Sequence, residues 1–182
     1  GASFVCRDGK ESSWWLSQEM HGTNMARIIR SLDPYCELYI AQVGESKTDI
    51  RPERALREAI DRGVDVISMS FCFDKSDNAL NEIIHEAHFK DIVTFASTAD
   101  EGYNAKEAWP AKSHGVNAIA ACTANGIWTE YTTGTTVTFA LQGDGLTLPA
   151  LSGAPSRTLR GSSVATAMAA GLGSLILACL RM

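Results

Sequence analysis

The stretch Gly161-Ser162-Ser163-Val164-Ala165-Thr166-Ala167-Met168-Ala169-Ala170-Gly171 decides how the rest of the chain is read. A glycine and two hydroxyl residues are followed by small, helix-favouring side chains, and charge does not return until Arg181. The pattern predicts a helix buried on most sides, whose small residues let neighbouring elements approach closely. A serine at the mouth of such a helix sits where unpaired backbone N–H groups and the positive dipole end point outward. Those conditions stabilise an oxyanion. Ser-Ser ahead of an apolar run is also an ordinary helix cap, so the stretch needs a partner before it implies chemistry.

The partner is His21-Gly22-Thr23-Asn24-Met25-Ala26, which continues through Arg27 to Leu32. Met25, Ile28, Ile29 and Leu32 fall at helical spacing, so a helix is predicted from about His21 to Leu32, stopped by Asp33-Pro34. The histidine stands at or just before its N-terminus. Together the two stretches resemble the subtilisin-like serine proteases, in which a His-Gly-Thr-x-x-Ala helix carries the general base and a Gly-Thr-Ser-x-Ala helix the nucleophile. By that resemblance His21 is the base and Ser163 the nucleophile. The likeness extends through Leu38 to Val43, Val64 to Phe71, Ile92 to Gly102 and Trp109-Pro110-Ala111. It is nearest to the fungal intracellular branch, where Ala is common at the position of Ala167.

The resemblance implies further roles. Ser70, Phe71 and Cys72 hold the places that pair with substrate backbone and wall the primary specificity pocket. Cys72 stands where a glycine is usual, which would narrow that pocket. Ser97, Thr98 and Ala99 are the other implied substrate-binding positions. They lead into Asp100, where the family carries the asparagine that supplies the second oxyanion donor. An ionised carboxylate there repels a developing oxyanion, and losing such a donor costs roughly a hundred- to a thousandfold in rate. Asn104 offers a substitute amide only if the turn shifts. The third triad member of the family, an aspartate on the first core strand, is expected N-terminal to Gly1. The chain is therefore expected to be one domain, residues 1–182, lacking that strand. Asp8 and Glu19, the nearest acids before His21, read as surface carboxylates.

Composition narrows the class. At 182 residues the chain can bury a substantial core. A net charge of −5 with no basic run argues against a nucleic-acid partner. The apolar run after Ser163 reads as core rather than membrane. The five cysteines are odd in number and lack metal-ligand spacing. Cys72, Cys122 and Cys179 lie in or beside apolar runs and read as buried free thiols. With no glycosylation sequon, these features favour a reducing, intracellular compartment. No cofactor is implied, and no acidic cluster requires calcium. His85 and His88 are three apart, but with no third ligand in view they read as a solvated helix face.

Between the motifs, apolar runs alternate with helical patterns. Strands are predicted at Glu37 to Val43, Val64 to Phe71, Ile92 to Ser97, Val116 to Cys122 and Val137 to Leu141. Helices are predicted from Pro52 to Gly63 and from Asp77 to Lys90. Ala2 to Cys6 suits a short strand, Arg7 to Lys10 a turn, and Trp14-Trp15 a cover for the helix that follows. Gly44 to Thr48 lacks the spacing of a phosphate loop. The order implies an α/β fold of three layers, a mostly parallel twisted sheet with helices on both faces. Ligands gather at the C-terminal edge of such sheets. The expected function is peptide-bond hydrolysis on a peptide or protein substrate, weak or absent in this chain. The alternative is a degenerate protease-like module that binds peptides or partners within a larger signalling protein.

Overall fold

A computed structural model of the protein describes residues 1–7, 10–11, 13–15, 20–44, 49–102, 108–132, 136–149 and 156–182. In chain order the elements are β1 (Ala2–Ser3), β2 (Cys6–Arg7), β3 (Lys10–Glu11), α1 (His21–Leu32), β4 (Ala41–Gln42), α2 (Glu53–Asp61) and β5 (Val66–Met69). There follow α3 (Asn78–Phe89), β6 (Val93–Ser97), β7 (Val116–Cys122), β8 (Phe139–Gln142), β9 (Leu146–Leu148), β10 (Arg157–Leu159) and α4 (Ser162–Leu180). Asp8, Glu19, Asn104 and the 45–48 part of the rejected phosphate loop lie outside the described residues.

The central sheet has the order β5-β6-β7-β8, every pair parallel. Side chains alternate across it, as the pleat requires. Ile67, Met69, Ala96 and Ala118 join one cluster with Leu56 and Ile60 of α2 and Leu80, Ile83, Ile84 and Ala87 of α3. Their neighbours Phe95, Ile119 and Ala121 join another, with Ala165, Ala169 and Ala170 of α4. Helices therefore cover both faces. α1 packs on α4, where Met25 and Ile28 meet Val164, Ala167 and Leu148. Each large aliphatic side chain so buried contributes about 1.5–3 kcal/mol.

The small residues of α4 have the predicted effect. A Cβ on Gly171 would lie 3.0 Å from Leu32 Cβ and 3.1 Å from the Ile29 carbonyl oxygen, so α1 and α4 touch nearly backbone to backbone. The helix is long and apolar enough to cross a membrane, yet its first half is packed between α1 and the sheet. Its last turns are more open, and Ile176 and Leu180 are 57% and 77% exposed.

Several local expectations need correction. The strand expected from Glu37 to Val43 pairs only at Ala41–Gln42, where β4 joins β1 in a separate parallel pair. Between Thr129 and Arg160, a stretch rich in Thr, Gly and loops where only the Val137–Leu141 strand is expected, there is more than one strand. Besides β8 it contains the antiparallel pair β9 and β10, Thr- and Leu-bearing segments too short to show a period. Cys122 is buried, but Cys72 and Cys179 are exposed, and none of the three is in a disulfide. Trp14 and Trp15 are exposed as well. The Trp14 ring lies where a side chain on Gly1 would be, at the backbone of the first residue.

Candidate active site

α1 opens at His21, whose side chain is exposed, and α4 opens at Ser162. The two helices run side by side in the same direction. Met25 shares a cluster with Val164, and Leu32 meets Gly171, so an advance along one helix matches the same advance along the other. Their N-terminal turns, one bearing His21 and the other Ser163, therefore face the same end of the molecule. β6 leads to that end too, since its residues pair with β7 up to Ser97 and the next residues reach α4.

The entry to α4 is tightly fixed. Gly161 takes φ +121°, a conformation that side chains rarely adopt. Its N–H donates to the Gly143 carbonyl at 2.7 Å, just past the end of β8. The Ser162 N–H donates to both carboxylate oxygens of Asp100 at 3.0 Å. The Ser162 hydroxyl donates to the Thr98 carbonyl, and the Thr166 hydroxyl donates to the Ser162 carbonyl at 2.8 Å. Ser162 is 2% exposed, whereas Ser163 is only half-buried. Of the two serines, the first is locked in place and the second is the more exposed.

Asp100 thus has a definite position. It is exposed, follows the buried run Ser97-Thr98-Ala99, and supplies the cap that α4 does not get from its own N-cap residue. The turn behind it is held by the Gly102 N–H, which donates to the Tyr131 carbonyl at 3.0 Å. The Arg160 guanidinium lies over the Tyr131 ring, 5.3 Å from its centre. Sequence reasoning missed Gly143, Tyr131 and Arg160, because all three come from the loop-rich stretch, where no periodicity marks them.

The other candidates divide. Ser97, Thr98 and Ala99 are buried, and the Thr98 carbonyl is already taken by Ser162. Ser70 is half-buried at the end of β5. The Phe71 ring packs on the α2–α3 core and against Phe73, with ring centres 5.6 Å apart. Cys72 presents an exposed thiol. The chain after β5 is bridged to the Trp109 loop by Phe73, through paired backbone bonds of 2.7 and 2.9 Å.

The model of the subtilase family, Peptidase S8, matches residues 3–181. The chain belongs to the subtilase family. The subtilisin-like protease het-Q2 of Podospora anserina is 33% identical to it over 103 residues, covering 50% of this chain and 28% of that protein. The subtilase domain described here thus spans well under half of that relative's length. Among solved structures it resembles a mutant of the protease domain of PatA, with TM-score 0.79 and 20% identity over 93% of this chain and 69% of that one. It also resembles the prenylagaramide maturation protease PagA, with TM-score 0.75 and 23% identity over 87% and 64%. A third neighbour is the PatG macrocyclase in complex with peptide, with TM-score 0.70 and 20% identity over 82% and 47%. At these identities the structural neighbours establish the α/β fold.

Proposed function

We propose that this subtilase domain hydrolyses peptide bonds through a serine ester, at a rate held down by Asp100. In this scheme the Ser163 hydroxyl attacks the peptide carbonyl while His21 takes its proton. His21 then returns the proton to the departing amine as the C–N bond breaks, and water releases the acyl group by the same route. The Ser163 backbone N–H donates to the oxyanion. The observation that carries the proposal is the parallel packing of α1 on α4, which brings the turns bearing His21 and Ser163 to one end. The locking of Ser162 supports Ser163 as the reactive hydroxyl.

One feature weakens the rate. Asp100 puts a carboxylate on the N–H one residue before Ser163, where the family resemblance places a neutral amide donor. Loss of such a donor costs about 10²–10³. The substrate is a peptide or protein segment, by analogy with the peptide held by the PatG neighbour.

A fluorophosphonate probe tests this reading. Weak labelling is expected in the chain as it stands, lost in Ser163→Ala and raised about tenfold or more in Asp100→Asn. Labelling that survives Ser163→Ala removes the nucleophile assignment, and strong labelling of the unaltered chain removes the attenuation. A second reading is favoured by the contact between Asp100 and Ser162, in which the domain binds peptides or partners without cutting them. It predicts peptide binding with no gain of labelling in Asp100→Asn.

A further inference from the structure

Three separate segments meet at the mouth of α4, and one residue holds the other two. The Asp100 turn follows β6, Arg160 is the single residue between β10 and Gly161, and Tyr131 lies in the loop between β7 and β8. The Tyr131 carbonyl accepts the Gly102 N–H at 3.0 Å, which fixes the turn two residues beyond Asp100. The Tyr131 ring carries the Arg160 guanidinium, 5.3 Å from the ring centre. The same side chain packs on the cluster that joins Phe95 of β6, Ile119 of β7 and Ala165 of α4.

The loop that presents Tyr131 is itself anchored. The Thr132 hydroxyl donates to the Ala121 carbonyl of β7 at 3.0 Å, and the Thr129 hydroxyl lies 2.8 Å from that of Thr132. Both threonines are buried. The sheet therefore determines where the ring stands. The Tyr131 hydroxyl adds nothing to this, since it is buried with no hydrogen-bond partner among the described residues.

Arg160 needs such a seat. It is exposed, and the pairing of β10 with β9 stops one residue earlier, at Leu159. A long exposed side chain keeps its rotamer freedom unless something holds it, and the residue that follows is Gly161 with its φ of +121°. The cation over the ring removes that freedom where the chain turns into α4.

We propose that Tyr131 is a positioning residue, which fixes where residue 100 stands relative to the first turn of α4. Its carbonyl holds one side of that relation and its ring the other, and the bond from Ser162 to Asp100 closes the triangle. In the peptidase scheme this spacing separates the second oxyanion position from the Ser163 backbone N–H, and an error of about 1 Å there costs about 10²-fold. The use of the spacing in catalysis rests on that scheme; the clasp itself does not.

Amide hydrogen exchange in the full chain tests the clasp. In Tyr131→Ala and in Arg160→Ala, the Gly102 and Ser162 amides are expected to exchange about threefold or more faster, beyond any change at Ile84 of α3. Tyr131→Phe, which keeps the ring, and Arg160→Lys, which keeps a cation, should restore protection. Fluorophosphonate labelling of Ser163 in an Asp100→Asn background should fall about tenfold when Tyr131→Ala is added and recover with Tyr131→Phe. If Tyr131→Ala fails to fold, Arg160→Ala, at an exposed position, serves in its place. Exchange unchanged at Gly102 and Ser162, or raised equally at Ile84, overturns the clasp. Faster exchange with unaltered labelling overturns its part in the reaction. Labelling absent from every variant, Asp100→Asn alone included, counts against the peptidase scheme, and exchange then decides the clasp.

Discussion

The carboxylate of Asp100 and the bare Cα of Gly161 work as a pair. A Cβ on Gly161 would come within 2.8 Å of Asp100 Oδ2, and the residue's φ of +121° already disfavours any side chain. Gly161→Ala therefore loses both a relaxed backbone and the cap on α4. Urea denaturation should show it less stable by about 2–4 kcal/mol. Asp100→Ala loses the cap alone and should cost about 1 kcal/mol, while Asp100→Asn, which keeps an acceptor for the Ser162 N–H, should cost less. From sequence, Asp100 reads only as a misfit at an oxyanion position. Its bond to Ser162 joins residues far apart in the chain, and neither a local pattern nor a spacing rule encodes that.

A second carboxylate, Asp33, ends α1 and is 2% exposed. Its Oδ1 accepts the N–H groups of Tyr35 and Cys36 at 3.1 Å, and its Oδ2 accepts the Ser174 hydroxyl at 2.6 Å. The Ser174 bond is the main reason its pKa lies below the ordinary value of 3.8, against the opposing effect of burial. A lowered folded-state pKa contributes stability that is present above the unfolded value and lost as pH falls through the folded one. Ser174→Ala should thus be less stable than the unaltered chain at pH 7. That difference should shrink as pH drops from about 4 through the folded-state pKa, as followed by urea midpoints across the acid range.

At the scale of elements, the contact between α1 and α4 sets two tendencies against each other. Helix propensity alone makes Gly→Ala favourable by about 1 kcal/mol. The 3.0 Å and 3.1 Å approaches at Gly171 oppose it, and the second is to backbone, which does not move aside. We predict that Gly171→Ala gains nothing and that Gly171→Val loses about 1–3 kcal/mol, measured by thermal or urea unfolding. A stabilised Gly171→Val would show that the helices are less closely packed than described. The helices themselves were legible. α1 matches its predicted span, and α3 fills the span expected from Asp77 to Lys90, with the Asp77 side chain accepting the Leu80 N–H at 2.9 Å. Strand ends were less so, because pairing stops where the neighbour stops. β4 extends only as far as β1 accompanies it. The ring contacts of His114 show the same limit, since a helix pattern exposes His85 and His88 but cannot say which loop will lean on them.

Taken whole, the layered plan followed from continuous apolar strands alternating with amphipathic helices, and the sheet is parallel as that pattern requires. What the pattern could not give was the division of the strands, with β1 and β4 paired apart from the four central ones. Backbone pairing across that division depends on three-dimensional register, which hydrophobicity does not report. The order of synthesis adds a consequence. α4 lies over β5, β6, β7 and β8, yet every one of those strands leaves the ribosome before it. Until the residues after Gly161 emerge, Phe95, Ile119 and Ala121 lack the cover of Ala165, Ala169 and Ala170. Polypeptides halted ahead of Gly161 should therefore bind a hydrophobic dye, aggregate and recruit chaperones, and a separately added α4 peptide should suppress all three.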